Sequence, residues 1–233
     1  MIVQLERGRD ILIPVSTQYL GKRIFGEFSL YDGSQSFYKS TSGIMMIQGR
    51  TLSYMGDGSD LEEVFAFASF LGVRYIESEA EFSTAAEMKE LHLMKKCRFQ
   101  DKGCRKYPVR VSEDIFAFAQ FMHVNYPETD MGFLYPFLVR RVRRGMMDVI
   151  YIRDENGDIR SGCMMSHFGD ISYISAVFTA PEHRGRGLAS AVIEEAVNIR
   201  GAGDLFLCCE EDMKSYYEKL GFERTGSVYR YTV

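Results

Sequence analysis

The stretch from residue 177 to residue 190 constrains this chain more than any other part of it. A short apolar run ends at Pro181, the segment Arg184-Gly-Arg-Gly187 follows, and a helical pattern begins at once. Glycines allow a backbone to approach a ligand closely, and the first turn of a helix presents N–H groups with partial positive charge. The stretch therefore predicts a strand, a phosphate-binding loop and a helix, in that order.

The chain around this stretch alternates between strand and helix patterns. Beyond residue 105 the predicted strands are 107–111, 147–153, 159–168, 171–179, 205–209, 222–225 and 227–232. The predicted helices are 113–123 with Ser112 as its cap, 134–144, 187–200, and 213–220 with Asp212 as its cap. This order predicts an α/β (α+β) fold, in which a mixed, mostly antiparallel central sheet is flanked by helices.

The first hundred residues form a separate, smaller α/β region. Strands are expected at 43–49, 51–55 and 73–76, with helices over 61–71 and 85–96. The segment 100–106 has no regular spacing of apolar residues, which indicates a connection between two domains. We therefore expect an N-terminal domain at 1–104 and a C-terminal domain at 105–233.

Composition excludes several classes of protein. The 233 residues carry a formal net charge of −4, which disfavours a dedicated nucleic-acid binder. The sequence has no apolar run long enough to span a membrane and no signal-peptide pattern at its start. Five cysteines without a disulfide pattern fit a reducing, cytoplasmic location. His92, Cys97 and Cys104 match no zinc spacing, so no metal is expected.

Two motifs give the C-terminal half a family resemblance. Arg184-Gly-Arg-Gly-Leu-Ala189 matches the signature Gln/Arg-x-x-Gly-x-Gly/Ala, and Tyr217-Glu-Lys-Leu-Gly-Phe222 is similar to Tyr-Glu-x-x-Gly-Phe. Both belong to the GNAT superfamily, the acetyl-CoA-dependent N-acyltransferases, which residues 107–233 also resemble in the order of their elements. Either motif alone is modestly specific, but the two with a predicted strand between them are strong support.

The resemblance implies a binding mode for acetyl-CoA. Backbone amides in the loop would hold its diphosphate, in the segment formed by Arg184, Gly185, Arg186, Gly187, Leu188 and Ala189. Val177 and Thr179 would pair with the pantetheine arm through their backbones, with Phe178 between them. The thioester would lie where strand 171–179 splays from strand 205–209.

The resemblance also implies the chemistry. Tyr217 occupies the position of the family's usual general acid, which would protonate the leaving thiolate; the alternative is that its ring fills space beneath the CoA. The adjacent Tyr216 is expected to serve in packing. Strand 171–179 contains no carboxylate; Asp170 lies at its start and Glu210 at the end of strand 205–209, and neither is assigned as the base. The acceptor would be a primary amine of a small molecule or a protein.

The order of elements in segment 44–99 parallels that of the GNAT-like half. In place of the glycine-arginine loop it has Asp57-Gly-Ser-Asp60, whose acids would repel phosphate, and Met94 stands where Tyr217 would be. We interpret this segment as a degenerate GNAT-like unit that shapes the acceptor pocket.

Three functions remain open from the sequence. The first is an enzyme that transfers an acetyl or short acyl group to a primary amine. The second is a non-catalytic acyl-CoA sensor, which needs the loop but not Tyr217. The third is a module that binds another phosphate ligand. A homodimer is also left open, because the final strands could extend a neighbour's sheet.

Overall fold

The computed structural model describes residues 1–5, 19–29, 35–96, 107–127, 129–201 and 203–233. The chain forms two compact units. The first combines Met1–Leu93, Cys208–Lys214 and Arg224–Val233, and the second combines Met94–Leu207 with Ser215–Glu223. The connection expected at 100–106 lies outside the described residues, so the boundary between domains 1–104 and 105–233 stays a prediction.

The described elements follow one another along the chain as helices, strands and one short 3₁₀ turn. In sequence order they are β1 Val3–Gln4, α1 Tyr19–Ser29, β2 Gln35–Lys39, β3 Gly43–Gln48, β4 Thr51–Gly56, α2 Leu61–Phe70, β5 Tyr75–Ser78, β6 Met88–Lys96, β7 Val109–Val111, α3 Ile115–Asn125, α4 Met131–Arg143, β8 Met147–Arg153, β9 Ile159–Phe168, β10 Ile171–Thr179, the 3₁₀ turn Pro181–His183, α5 Leu188–Arg200, β11 Asp204–Cys209, α6 Glu211–Lys219 and β12 Glu223–Thr232.

The first unit is a sheet with the strand order β1-β2-β3-β4-β5-β12, and the part of β6 that belongs to this unit, residues 88–93, follows β12. From β1 to β12 the pairs are antiparallel except β4 and β5, which run parallel and are joined by α2. A parallel pair needs such a crossover, because the chain must return to the end of the sheet at which the first strand began. Leu52 and Ile76 of the sheet pack with Val64 and Ala68 of α2, and all four are fully buried.

The second unit has the order β7-β8-β9-β10-β11. Its described pairs are also antiparallel apart from one, β10 with β11, which α5 connects. Met147, Val149 and Tyr151 of β8 pack with residues of α3 and α4. The alternate residues Ile150 and Ile152 are buried on the opposite face, because successive side chains of a strand point to opposite sides. The fold class predicted from the sequence is confirmed.

One predicted helix is wrong. The segment expected to be a helix over 85–96 is the strand β6, Met88–Lys96. Its Met, Lys, Glu and Leu residues favour a helix in isolation, but Leu91, His92, Leu93 and Met94 are all buried between neighbouring strands. Tertiary pairing therefore overrides local propensity, and Met94 has no helical position that could correspond to that of Tyr217.

Several element ends also differ from the sequence expectations. Helix α3 begins at Ile115 and is capped by Asp114, whose carboxylate accepts from the Ala117 N–H, so Ser112 is not the cap. The hydroxyl of Ser112 instead donates to Asp148, 3.2 Å away. The last two predicted strands are one continuous strand, β12, and α6 begins at Glu211, so Asp212 lies inside its first turn.

Candidate functional site

The candidate site of the second unit begins where β10 and β11 separate. Their parallel pairing runs through Ile171 with Asp204 and Ser172 with Leu205, and its last pair is Tyr173 with Phe206. Strand β10 continues to Thr179 beyond this point. The backbone edge of β10 that faces the gap can therefore pair with an extended, amide-containing ligand, as an added strand would.

A bulge marks this change along β10. Against β9, the register moves from Ser175 opposite Met164 to Phe178 opposite Gly162, so Ala176 and Val177 face one residue. Ala176 has a φ of 50°, in the left-handed region that a residue with a Cβ seldom adopts. Bulges of this kind bend a strand and alter the direction of its backbone groups. The half of β10 that follows is half-buried and accessible to a ligand.

Phe178 and Thr179 are held firmly beyond the bulge. The hydroxyl of the fully buried Ser161 lies 3.0 Å from the Phe178 carbonyl oxygen and 2.9 Å from the Thr179 hydroxyl. The Phe178 ring meets Phe121 and Tyr126 edge-on, with centroids 5.9 and 5.4 Å apart. The aromatic end of α3 therefore lies against the strand to which the family resemblance assigns pantetheine binding.

The loop after β10 has the backbone conformation that its glycines permit. A 3₁₀ turn at Pro181–His183 leads to Gly185 and Gly187, whose φ angles are 74° and 84°. Residues with a Cβ are strained in this region, so both positions favour glycine. Gly187 is the N-cap residue of α5 and has no side chain that could bond to the N–H groups of the helix's first turn, which also lack partners within the helix. These donors are open to an anion.

Some carbonyl oxygens in and beside the same loop accept hydrogen bonds from side chains. Arg184 Nε donates to the Thr179 oxygen and Arg186 Nη2 to the Glu182 oxygen, each over 3.2 Å. The Tyr107 hydroxyl donates to the Arg186 oxygen over 2.7 Å. A carbonyl oxygen facing a phosphate would repel it, so these bonds leave the loop rich in N–H groups and positive charge. The geometry therefore suits a diphosphate.

The Tyr217 motif closes helix α6. The Phe222 N–H bonds to the Tyr217 oxygen and the Gly221 N–H to the Glu218 oxygen, while Gly221 has a φ of 81°. This pattern is a Schellman motif, which requires a left-handed residue and brings together the apolar side chains on either side of it. The rings of Tyr217 and Phe222 are accordingly 6.0 Å apart, and Tyr217 is 7% exposed.

Tyr216 has a contact that sequence reasoning missed. Its hydroxyl lies 3.1 Å from the hydroxyl of Ser190 in the first turn of α5. Burial raises the pKa of Tyr216, so the phenol stays protonated at neutral pH. The residue expected to serve in packing therefore also links α6 to the helix that follows the loop.

The carboxylates near the site do not identify a base. Glu210 forms an ion pair of 2.6 Å with Lys89 in the first unit. For the zinc alternative, Cys97 and Cys104 lie outside the described residues. Within the described ranges, no three His, Cys, Asp or Glu side chains cluster as metal ligands, and no helix there is long and apolar enough to cross a membrane.

A Ser–His–Asp arrangement lies at the start of β10, away from the loop. His167 places Nδ1 2.9 Å from the Ser172 hydroxyl and Nε2 3.0 Å from Asp148. The hydrogen bond from His167 lowers the pKa of Asp148. Ser172 is fully buried, so a substrate cannot reach its hydroxyl. The arrangement ties β8, β9 and β10 together and is not a nucleophilic site.

Comparisons with known proteins agree with this geometry. Residues 147–224 match the family model described as an acetyltransferase (GNAT) domain. No curated protein sequence matches the chain. Among solved structures, the chain is similar to a tandem GNAT protein from the clavulanic acid biosynthesis pathway, with 13% identity, a TM-score of 0.61 and coverage of 100% of this chain and 98% of that one.

Two further structures show the same fold. A GNAT-family acetyltransferase from Colwellia psychrerythraea has 14% identity and a TM-score of 0.57, with 100% and 99% of the two chains covered. A GCN5-related N-acetyltransferase from Sphaerobacter thermophilus has 12% identity and a TM-score of 0.57, with 91% and 85% covered. Residues 147–224 are thus a GNAT acetyltransferase domain, and the fold of the chain is similar to that of a tandem GNAT protein.

Proposed function

We propose that the chain is an N-acetyltransferase that moves an acetyl or short acyl group from acetyl-CoA to a primary amine. The observation that carries the proposal is the continuity of two surfaces in the second unit. The open edge of β10 can pair with pantetheine, and it leads directly into the glycine-rich loop at 185–188 and the N-terminus of α5, whose N–H groups can bind an anion. Acyl-CoA contains both chemical groups that these surfaces suit, an extended chain with amide groups and a diphosphate.

The reaction follows from this placement. The neutral amine attacks the thioester carbonyl carbon, a C–N bond forms, the C–S bond breaks, and the thiolate leaves. Tyr217 donates its phenolic proton to that thiolate, the amine's surplus proton passes to solvent, and the Tyr217 phenolate takes up a proton from solvent before the next turnover. The bulge at Ala176 and Val177 turns backbone groups out of the β9 pairing, where an N–H can stabilise the thioester oxygen as it gains negative charge.

The substrate amine is a primary amine of a small molecule or a protein. Acetyl-CoA acts as co-substrate, and the proposed transfer needs no metal. In the second unit, Arg184, with its guanidinium 5.5 Å from the Phe178 ring, adds positive charge between the pantetheine strand and the diphosphate loop. This charge favours the anionic donor, and it does not select the acceptor.

The experiment is turnover by the full chain. Thiol release from acetyl-CoA with a panel of primary amines should be amine-dependent, and Tyr217→Phe should lower kcat by about 100-fold or more, since general acids contribute about 10²–10⁴-fold. Binding of acetyl-CoA should be nearly unchanged in that variant. A chain that binds acetyl-CoA but transfers to no amine would instead be an acyl-CoA sensor. An unchanged kcat in Tyr217→Phe would remove Tyr217 as the acid.

A further inference from the structure

Tyr107 lies far from the loop in sequence but contacts it directly. It lies two residues before the first residue of β7 and falls outside the residues that match the GNAT domain. Its hydroxyl donates to the carbonyl oxygen of Arg186 over 2.7 Å. The carbonyl belongs to the peptide that joins Arg186 to Gly187, in the middle of the glycine-rich loop.

Because that peptide is planar, the direction of its C=O also fixes the direction of its N–H. In a trans peptide, the C=O and the N–H lie in one plane and point in opposite directions. Fixing the Arg186 oxygen toward Tyr107 therefore directs the Gly187 N–H to the other side of the loop. The first turn of α5 begins at Leu188, and its N-cap, Gly187, has no side chain that could cap its N–H groups.

The loop needs such a restraint because of its composition. Gly185 and Gly187 flank Arg186, and glycine has more accessible backbone conformations than other residues. Rotation of the Arg186–Gly187 peptide would turn a carbonyl oxygen toward the phosphates in place of an N–H. One hydrogen bond from a side chain outside the loop selects the binding orientation.

We propose that Tyr107 is a positioning residue that orients the Gly187 N–H toward the diphosphate of the acyl donor. This inference rests on the proposed function, because it assigns a role in the same acyl-CoA site. It concerns affinity for the diphosphate and not the acyl-transfer step. Tyr107 touches neither the thioester nor the amine in this assignment.

The test compares Tyr107→Phe with the wild-type chain using two acyl donors. Acetyl-CoA carries the diphosphate, and S-acetylpantetheine lacks it. The variant should raise Kd and KM for acetyl-CoA about fivefold, the effect of losing one neutral hydrogen bond, with kcat within about twofold of wild type. With S-acetylpantetheine, kcat/KM should be the same for both proteins.

Tyr135→Phe is the matched control, because Tyr135 is a partly exposed tyrosine of α4 in the same unit and its ring contacts Phe116. It should leave both donors unaffected. An unchanged Kd for acetyl-CoA in Tyr107→Phe would overturn the inference, as would an equal loss with both donors. A wild-type chain that does not bind acetyl-CoA would instead defeat the proposed function, so the two failures are distinguishable.

Discussion

The two units contain the same strand–loop–helix–strand arrangement with opposite loop chemistry. In the first unit, β4 and β5 pair in parallel from Thr51 with Tyr75 to Ser53 with Glu77, and β4 continues to Gly56. In the second, β10 passes the end of its pairing with β11 in the same way. The shared topology supports the interpretation of the first unit as a second GNAT-like unit. The difference lies in what fills the space beyond the pairing.

The first unit fills that space with its own side chains. The hydroxyl of the fully buried Tyr54 lies 2.7 Å from the Ser42 hydroxyl and 3.0 Å from Asp60, and it accepts from the Gly58 N–H over 3.3 Å. The ring of Phe82 packs so closely on Gly58 that a Cβ there would lie 2.6 Å from it. The loop N–H that could bind a phosphate is already bonded.

The charge of the first loop also opposes phosphate. Burial would raise the pKa of Asp60, but hydrogen bonds from Ser42, Ser40 and Tyr54 outweigh it and hold that pKa at about 2. Asp60 is therefore a carboxylate at any physiological pH. The corresponding loop of the second unit instead has the cationic residues Arg184 and Arg186. We therefore expect the same backbone arrangement to bind a diphosphate in the second unit and to reject one in the first, according to the loop residues. We expect one acyl-CoA site per chain.

The largest effect on acetyl-CoA binding should come from blocking the loop of the second unit. Gly187→Trp places a large side chain at a φ of 84° in the cap of α5 and should abolish the rise in melting temperature that acetyl-CoA causes. Differential scanning fluorimetry with and without acetyl-CoA measures this. Gly145→Trp is the control, because Gly145 has a φ of 66° with no atom within 4 Å of a Cβ there, and it should keep the shift. A shift retained in Gly187→Trp would place the ligand elsewhere.

A smaller effect, on the free energy of unfolding, should come from removing the negative charge of Asp60 in the loop of the first unit. Asp60→Asn should lower the free energy of unfolding at pH 7 by about 1–2 kcal/mol, because Asp60 accepts several hydrogen bonds as a carboxylate. The folded pKa of about 2 lies below the unfolded value, so this stability is present above pH of about 4 and is lost as the pH falls toward 2.

Calorimetry across this pH range tests that prediction. The difference between wild type and Asp60→Asn should shrink as the pH falls. Glu62→Gln removes an exposed charge from the first turn of α2 and serves as the control, with a change of about 0.5 kcal/mol or less. A difference between wild type and Asp60→Asn that stays constant with pH would contradict the assigned pKa. Acetyl-CoA binding gained by Asp60→Asn would contradict the closure of the first unit by Tyr54 and Phe82.

The smallest effect should separate the two adjacent tyrosines of α6. Tyr216→Phe loses a single hydrogen bond to Ser190 and should lower stability by about 1 kcal/mol with kcat nearly unchanged. Chemical denaturation and steady-state rates measure the two quantities. A drop in kcat as large as that of Tyr217→Phe would assign the acid to the wrong tyrosine.

The sequence predicted those features best that depend on a few residues close together along the chain. Gly185, Gly187 and Gly221 all have positive φ angles, which glycine tolerates in any surroundings, so both motifs could be identified from residue spacing. The separation of β10 from β11 was implied by the family resemblance and is present in the structure. These features depend on a few neighbouring residues.

The sequence failed where distant residues decide. β6 is a strand because its neighbours in the sheet bury it, although its residues favour a helix. Tyr107 and Ser161 act on the loop and on β10 through contacts with residues far along the chain, and no pattern around either residue signals this. The closure of the first loop by Phe82 likewise depends on a segment beyond β5.

The most direct test of the account is the number of acetyl-CoA molecules that the full chain binds. Isothermal titration calorimetry should give one molecule per wild-type chain and none for Gly187→Trp. Two molecules per chain would show that the first unit also binds the donor. One molecule retained by Gly187→Trp would contradict the assignment of the site to the loop after β10.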